Sequence, residues 1–117
     1  MPGAGARVLG FGKHPDVAAA AQDALRRQGL RATNFALTDD AEGDARLISE
    51  LSADSYDAVI FGGYINGQAP EFSPPAPETT AWFNRALNIV HEHAPTTKLV
   101  LVRGPADIPA ALKRVLG

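Results

Sequence analysis

The sequence has no cysteine, no surplus of basic residues and no long apolar run. The lack of cysteine excludes disulfides, thiolate zinc sites, iron–sulfur ligation and cysteine nucleophiles. The net charge of −2 disfavours nonspecific binding to nucleic acid, which needs a basic excess to neutralise phosphates. No segment approaches the ~18 apolar residues of a membrane span, and the first residues do not resemble a signal peptide. We therefore expect a cytoplasmic protein that binds neither nucleic acid nor membranes.

The 117 residues that are present have the composition of an ordinary globular protein, with 45% hydrophobic and 21% charged residues. A chain of this length is expected to build one core, and no linker, repeat or low-complexity segment divides it. We therefore expect one α/β domain over residues 1–117.

Short apolar runs alternate with amphipathic stretches four times along the chain. The runs predict strands at residues 8–11, 31–37, 58–61 and 99–102, and each is followed by a predicted helix. This alternation indicates a three-layer α/β fold, in which helices cover both faces of a parallel sheet of about four strands. We expect the strand order 2-1-3-4, with the half-polar second strand at one edge, as in flavodoxin-like and Rossmann-like folds.

Helix-end signals refine this prediction. Gly29 follows the last periodic residue of the first helix and is typical of a C′ position. Asp39, with Glu42 three residues later, predicts a capping box at the start of the second helix. Gly43 falls inside that helix, where glycine costs ~1 kcal/mol relative to alanine, so Gly43→Ala is expected to be stabilising.

The most informative loop follows the first strand. Open α/β sheets bind ligands beyond the carboxyl ends of their strands, where the strand order reverses, here between the first and third strands. Gly10 and Gly12 allow close approach to the backbone there, and Lys13 and His14 add positive charge at a helix start. The loop therefore predicts a site for an anion such as phosphate or carboxylate. Glycines that serve only to turn the chain are an equally open alternative.

A second glycine-rich segment follows the third strand and opens a long loop that holds four of the nine prolines. Its first residues include Gly62, Gly63, Tyr64 and Asn66. Arg103 directly follows the fourth strand, where its guanidinium can bind an oxyanion with two parallel hydrogen bonds. We therefore expect the three loops to share one ligand. The predicted binding residues are Gly10, Gly12, Lys13, His14, Gly62, Gly63, Tyr64, Asn66 and Arg103.

No complete catalytic constellation is visible in the sequence. A nucleophile elbow, a Walker loop and a His–Glu metal signature are all missing. His14, Tyr64 and Arg103 are the candidate catalytic residues, and whether the protein is an enzyme stays open. His91 and His93 lie two residues apart on a predicted helix and point in different directions, so we expect no metal site.

The ligand is not identified by the sequence, although a nucleotide is one candidate. Pro15 stands where the dinucleotide fingerprint requires its third glycine, so that fingerprint is incomplete. Asp39 or Asp40 follows the second strand, where a carboxylate can meet a ribose hydroxyl.

Residues 56–62, Tyr-Asp-Ala-Val-Ile-Phe-Gly, resemble the third strand of a response-regulator receiver domain, and the likeness extends over the first three β–α units. Receivers carry an acidic pair, a phospho-accepting aspartate, a hydroxyl residue and a lysine at their strand ends. Gly12-Lys13, Gly62 and Arg103 stand at the first three positions, and the lysine has no clear counterpart. The resemblance therefore implies a receiver-like fold without aspartyl phosphorylation. A small Rossmann-like domain describes the sequence equally well, and the alternative function is a noncatalytic protein-interaction module.

The fourth predicted strand, residues 99–102, is as apolar as a central strand, yet the order 2-1-3-4 leaves it at an edge. An exposed apolar edge invites pairing with another chain. We therefore expect a homodimer formed through this strand. The alternative is that residues near Pro105 or the proline-rich loop cover the edge within one chain.

Overall fold

The structure is a computed structural model that describes residues 5–72 and 74–117. Its strands are β1 (Arg7–Gly12), β2 (Arg31–Ala36), β3 (Ala58–Phe61) and β4 (Lys98–Leu101). Its helices are α1 (Pro15–Arg27), α2 (Ala41–Ala53), α3 (Pro77–His93) and α4 (Ile108–Leu116), with short 3-10 helices at Pro70–Phe72 and Pro105–Asp107. The predicted alternation is confirmed, and no strand boundary differs from its predicted position by more than one residue.

The four strands are parallel and lie in the predicted order β2-β1-β3-β4. In β1, the residues from Val8 to Phe11 are all buried, as is every residue of β3. Strands that are covered on both faces need apolar side chains in both directions, which explains their continuous apolar runs. β2 lies at an edge and contains only two buried residues among partly or fully exposed ones, as its polar interruptions predict.

Because successive strand residues point to opposite faces, the sheet separates two cores. Even-numbered side chains such as Val8, Ile60 and Val100 pack with residues of α1 and α4, and we name this side the α1/α4 face. Odd-numbered side chains such as Leu9 and Phe61 pack with residues of α2 and α3 on the opposite α2/α3 face. The three-layer α/β architecture is therefore confirmed.

The first helix ends as its sequence predicts. Gly29 has a φ of +86°, a conformation that glycine adopts without strain. The Leu30 N–H donates to the Leu25 carbonyl at 3.1 Å, and the Gly29 N–H donates to the Arg26 carbonyl at 3.0 Å. These two bonds form a Schellman motif, which turns the chain directly into β2.

The second helix begins one residue later than the capping-box prediction requires. The cap is Asp40, whose Oδ1 accepts the Gly43 N–H at 2.8 Å and the Thr38 hydroxyl at 2.7 Å. These two donors lower the pKa of Asp40. Asp39 instead accepts a hydrogen bond from Arg85 of α3 at 2.6 Å. The Asp39 prediction is therefore wrong, because either of two adjacent aspartates can serve as an N-cap and the pairing of Asp39 with Arg85 leaves Asp40 in that position.

The expected gain from Gly43→Ala also conflicts with the structure. A Cβ atom at Gly43 would lie 1.9 Å from the backbone oxygen of Thr38. This glycine therefore allows the first turn of α2 to pack directly on the segment that leaves β2. Helix propensity alone misses this contact, because the clash involves backbone outside the helix.

We predict that Gly43→Ala lowers the free energy of unfolding by about 1–3 kcal/mol, the usual cost of overpacking. Gly12→Ala is the matched control, since a Cβ at Gly12 has no atom within 4 Å. Urea unfolding of both variants measures the difference. A Gly43→Ala protein as stable as the parent would contradict the close contact.

Candidate ligand-binding site

A cavity of about 250 Å³ lies on the α1/α4 face, at the carboxyl ends of β1, β3 and β4. We name it the β1–β3 cavity. The residues of β1 that point to this face near its end are Gly10 and Gly12, and neither supplies a side chain to fill the space. A Cβ at Gly12 would meet no atom within 4 Å. The cavity thus exists because β1 stops contributing side chains before the sheet ends, at the position where strand order reverses.

The floor of the cavity is apolar. Ile60 of β3, Val102 after β4 and Ile108 at the start of α4 line it, and all three belong to the α1/α4 core. Ala18 and Val17 of α1 form a further wall. Val17 is 40% exposed although its spacing predicts a core position, because the buried stripe of α1 runs through Ala18 instead. An apolar ligand surface would be desolvated here.

The rim of the cavity carries two cationic side chains and one imidazole, which come from two loops. Lys13 and His14 follow β1, and Arg103 follows β4. Within residues 5–72 and 74–117, neither Lys13 nor Arg103 forms an ion pair. Glu71 supplies one carboxylate to the same rim. The cationic groups outnumber this carboxylate, so the rim favours anions.

The start of α1 adds to this preference. His14 is the N-cap and makes no side-chain capping hydrogen bond, while its carbonyl accepts the Ala18 N–H at 3.0 Å. The N–H groups of Asp16 and Val17 therefore precede the first intrahelical bond. These groups and the helix dipole attract negative charge, although the Asp16 carboxylate in the first turn competes for them.

Tyr64 couples the loop after β3 to the cationic rim. The Lys13 Nζ lies 4.1 Å from the centroid of its ring, and the His14 ring lies 6.4 Å away in an edge-on orientation. Hydrogen bonding to Lys13, and then to Thr79, lowers the pKa of Tyr64. The phenol is therefore the most acidified hydroxyl that lines the cavity, and it is held beside a cation.

Asn34 of β2 is a lining residue that the sequence analysis missed. It pairs with Gly10 in the sheet, and a Cβ at Gly10 would lie 2.7 Å from its Oδ1. This Oδ1 is buried and has no hydrogen-bond partner among the described residues. The sequence does contain a signal for this contact. Asn34 is two residues from Ala32, so both side chains point to the α1/α4 face, and its neighbour on β1 is a glycine. The polarity of this residue by itself predicts only an exposed position.

Of the nine predicted binding residues, the structure brings eight to the cavity and leaves out Asn66. Asn66 is 7% exposed, and its Nδ2 donates to the carbonyls of Phe61 at 2.8 Å and Val102 at 3.0 Å. It therefore ties the end of β3 to the end of β4. Gly62 and Gly63 line the cavity beside it, and a Cβ at Gly63 would lie 2.2 Å from the Arg103 carbonyl oxygen.

The carboxylates considered for a ribose hydroxyl lie elsewhere. Asp40 caps α2, and Asp39 pairs with Arg85, which also binds Asp44 at 3.0 Å. Neither Asp39 nor Asp40 lines the cavity. The acidic residue that does so is Glu71, in the short 3-10 helix of the long loop.

Comparison of the chain with protein-family models, curated proteins and solved structures finds no match. The functional interpretation therefore depends on the residues of the cavity. None of the described helices is both long enough and apolar enough to cross a membrane.

We predict that the two tyrosines of the chain titrate separately. The pKa of Tyr64 lies below its usual value because of Lys13 and Thr79. The pKa of Tyr56 lies above it, because of burial first and then the charges of Glu50 and Asp54. Absorbance titration of the phenolate should therefore show two steps, and Tyr64→Phe should remove the step at lower pH.

Lys13→Met should raise the pKa of Tyr64, because it removes the hydrogen bond and the positive charge. Lys98→Met at the opposite end of the sheet is the control and should leave both steps in place. A single merged step, or a lower step that does not respond to Lys13→Met, would contradict the Lys13–Tyr64 contact.

Proposed function

We propose that the protein binds a small organic anion in the β1–β3 cavity. The observation that carries the proposal is the combination of unpaired cations on the rim with an apolar floor and a buried, unsatisfied oxygen. Cavities with mostly apolar walls and a few convergent polar groups are the usual form of small-molecule sites.

The anionic group of the ligand would bind at the rim. Lys13 and Arg103 follow different strands, and the first residues of α1 line the same cavity. A phosphate or carboxylate fits this set, because a guanidinium can donate two parallel hydrogen bonds to either group. The imidazole of His14 adds a further hydrogen-bond donor.

The body of the ligand would extend over the apolar floor and carry a hydrogen-bond donor. Ile60, Val102 and Ile108 offer it a dry surface, and the Asn34 Oδ1 has no other donor to accept from. A buried oxygen without a partner costs roughly 1–3 kcal/mol, and a hydroxyl or N–H group of the ligand would remove that cost on binding. A nucleotide belongs to this class of ligand, because the exocyclic amino group of its base can donate to the Asn34 Oδ1. Its ribose finds no carboxylate from Asp39 or Asp40, since neither lines the cavity.

The proposal concerns binding. His14 and Tyr64 are the groups at the rim with which a bound ligand would exchange a proton, and Arg103 would stabilise a negative charge beside them. If the ligand found in binding experiments is also converted to a product, the rates of variants at these three residues would test their catalytic roles.

The first test is a panel of nucleotides, sugar phosphates and hydroxy or keto acids, screened by thermal shift and then titrated by calorimetry. We predict that Lys13→Glu weakens the best ligand at least tenfold, which corresponds to ~1.4 kcal/mol. Lys98→Glu makes the same charge change at the amino end of β4 and should leave the dissociation constant unchanged. Equal affinities of the parent and Lys13→Glu proteins would contradict binding at this rim.

The second test fills the cavity. Gly12→Val directs a side chain into open space, so the protein should fold normally while affinity falls at least tenfold, again ~1.4 kcal/mol or more. The melting temperature of Gly12→Val checks the fold separately. If Gly12→Val binds as tightly as the parent, the ligand binds outside this cavity. If no compound of the panel binds the parent protein, the noncatalytic interaction module is favoured instead.

A further inference from the structure

The two edge strands differ in how their outward backbone groups are bonded. At the β2 edge, side chains of α1 bind some of these groups. The N–H groups of Arg31 and Leu37 donate to β1, so the alternate residues Ala32 and Asn34 direct their backbone groups outward. Side chains of α1 reach these groups: Gln22 Oε1 accepts the Asn34 N–H at 2.9 Å, and Arg26 Nε donates to the Ala32 carbonyl at 2.9 Å. The first helix thus occupies two of the hydrogen-bonding positions that another strand would need.

The β4 edge has no equivalent cover. The N–H groups of Lys98 and Val102 donate to β3, so the backbone groups of Leu99 and Leu101 point away from the sheet. In the part of the chain that the structure describes, β4 pairs with β3 alone, and no side chain bonds to the outward groups of these two leucines. Neither the segment after β4 nor the described part of the long loop closes this edge.

The side chains of the same two leucines are also unpacked. Leu99 and Leu101 are each 44% exposed on the α2/α3 face, whereas Val100 on the other face is 1% exposed beneath α4. No charged residue lies between Lys98 and Arg103, although charges are a common device for keeping edge strands apart. One short segment therefore exposes both unpaired backbone groups and apolar side chains.

We propose that this edge binds a second copy of the chain, with the two β4 strands antiparallel about a two-fold axis at Val100. Leu99 of each copy then lies opposite Leu101 of the other, and each pair exchanges both of its N–H···O bonds. The four leucine side chains meet on one face, because directly opposed residues share a face. The result is one continuous sheet through both copies.

The pattern of the edge favours a second copy over an unrelated strand. The outward groups stand symmetrically on either side of Val100, so one strand complements itself without any shift. Lys98 falls opposite Val102 of the second copy, so no like charges oppose one another. Because side chains of α1 occupy two of the hydrogen-bonding positions at the β2 edge, each copy has one open edge to offer, and assembly stops at the dimer as expected for a self-complementary contact.

Mass measurement tests the proposal directly. A small strand-to-strand interface predicts a dissociation constant on the order of micromolar, so sedimentation or light scattering should span concentrations well below and above that value. The parent protein should change from the mass of one chain to that of two. Leu101→Lys places a charge in the contact and should remain at the mass of one chain at every concentration.

Ala20→Lys is the matched control, because Ala20 is an exposed apolar residue of α1 that does not line the cavity at the end of β4. It should dimerise like the parent. Circular dichroism confirms that each variant is folded, and Leu99→Lys provides a second disruptive variant. A parent protein that stays monomeric throughout, a dimer that survives both leucine substitutions, or open-ended assembly would each overturn the proposal.

Cross-linking tests the register. The chain has no cysteine, so Leu99→Cys introduces a single thiol. In the proposed pairing the two introduced thiols are diagonal neighbours, with positions ~7–8 Å apart, and a short bifunctional thiol reagent should join them. Ala20→Cys, on the exposed side of α1, should not cross-link. Equal yields from the two variants would overturn the antiparallel register, whatever the outcome of the ligand panel.

Discussion

The structure depends on the burial of β1 and β3 on both faces. Two central strands with apolar side chains on both faces require helices above and below them. Because each helix follows a parallel strand, every helix begins near the carboxyl ends of the strands. The polar side chains next to these two strands therefore come mainly from the loops at the strand ends. Lys13, Tyr64 and Arg103 come together at one rim for this reason, although they are far apart in the sequence.

The β1–β3 cavity reduces stability at the place where we propose that a ligand binds. Gly12 leaves space that a larger side chain would have packed, so neighbouring atoms lose dispersion contacts. The unsatisfied Oδ1 of Asn34 adds a desolvation cost beside that space. Departures from good packing and complete hydrogen bonding are expected at functional sites. Both lie at the end of the sheet where the topology favours a ligand, and this coincidence supports the proposal of a binding site there.

The sequence was sufficient for the strands, their order and the loops around the cavity, because continuous apolar runs and glycines at strand ends reflect local requirements. It was insufficient where a partner distant along the chain decides the outcome. Asn66 looks like a loop residue available to a ligand, yet two strand-end carbonyls occupy its amide. Asn34 looks exposed, yet a glycine on the neighbouring strand gives its amide a buried position. Gly43 looks replaceable until the Thr38 carbonyl is seen beside it.

The side chains that bind the β2 edge also have a mechanical consequence. Gln22 and Arg26 fasten the second half of α1 to β2, and the Schellman turn at Gly29 fixes its last turn. Among the described residues, the first turn of α1, which borders the cavity, makes no comparable side-chain hydrogen bond to the sheet. If α1 moved when a ligand bound, it would therefore pivot about its C-terminal half. A small rotation near Gln22 would then become a larger displacement at His14.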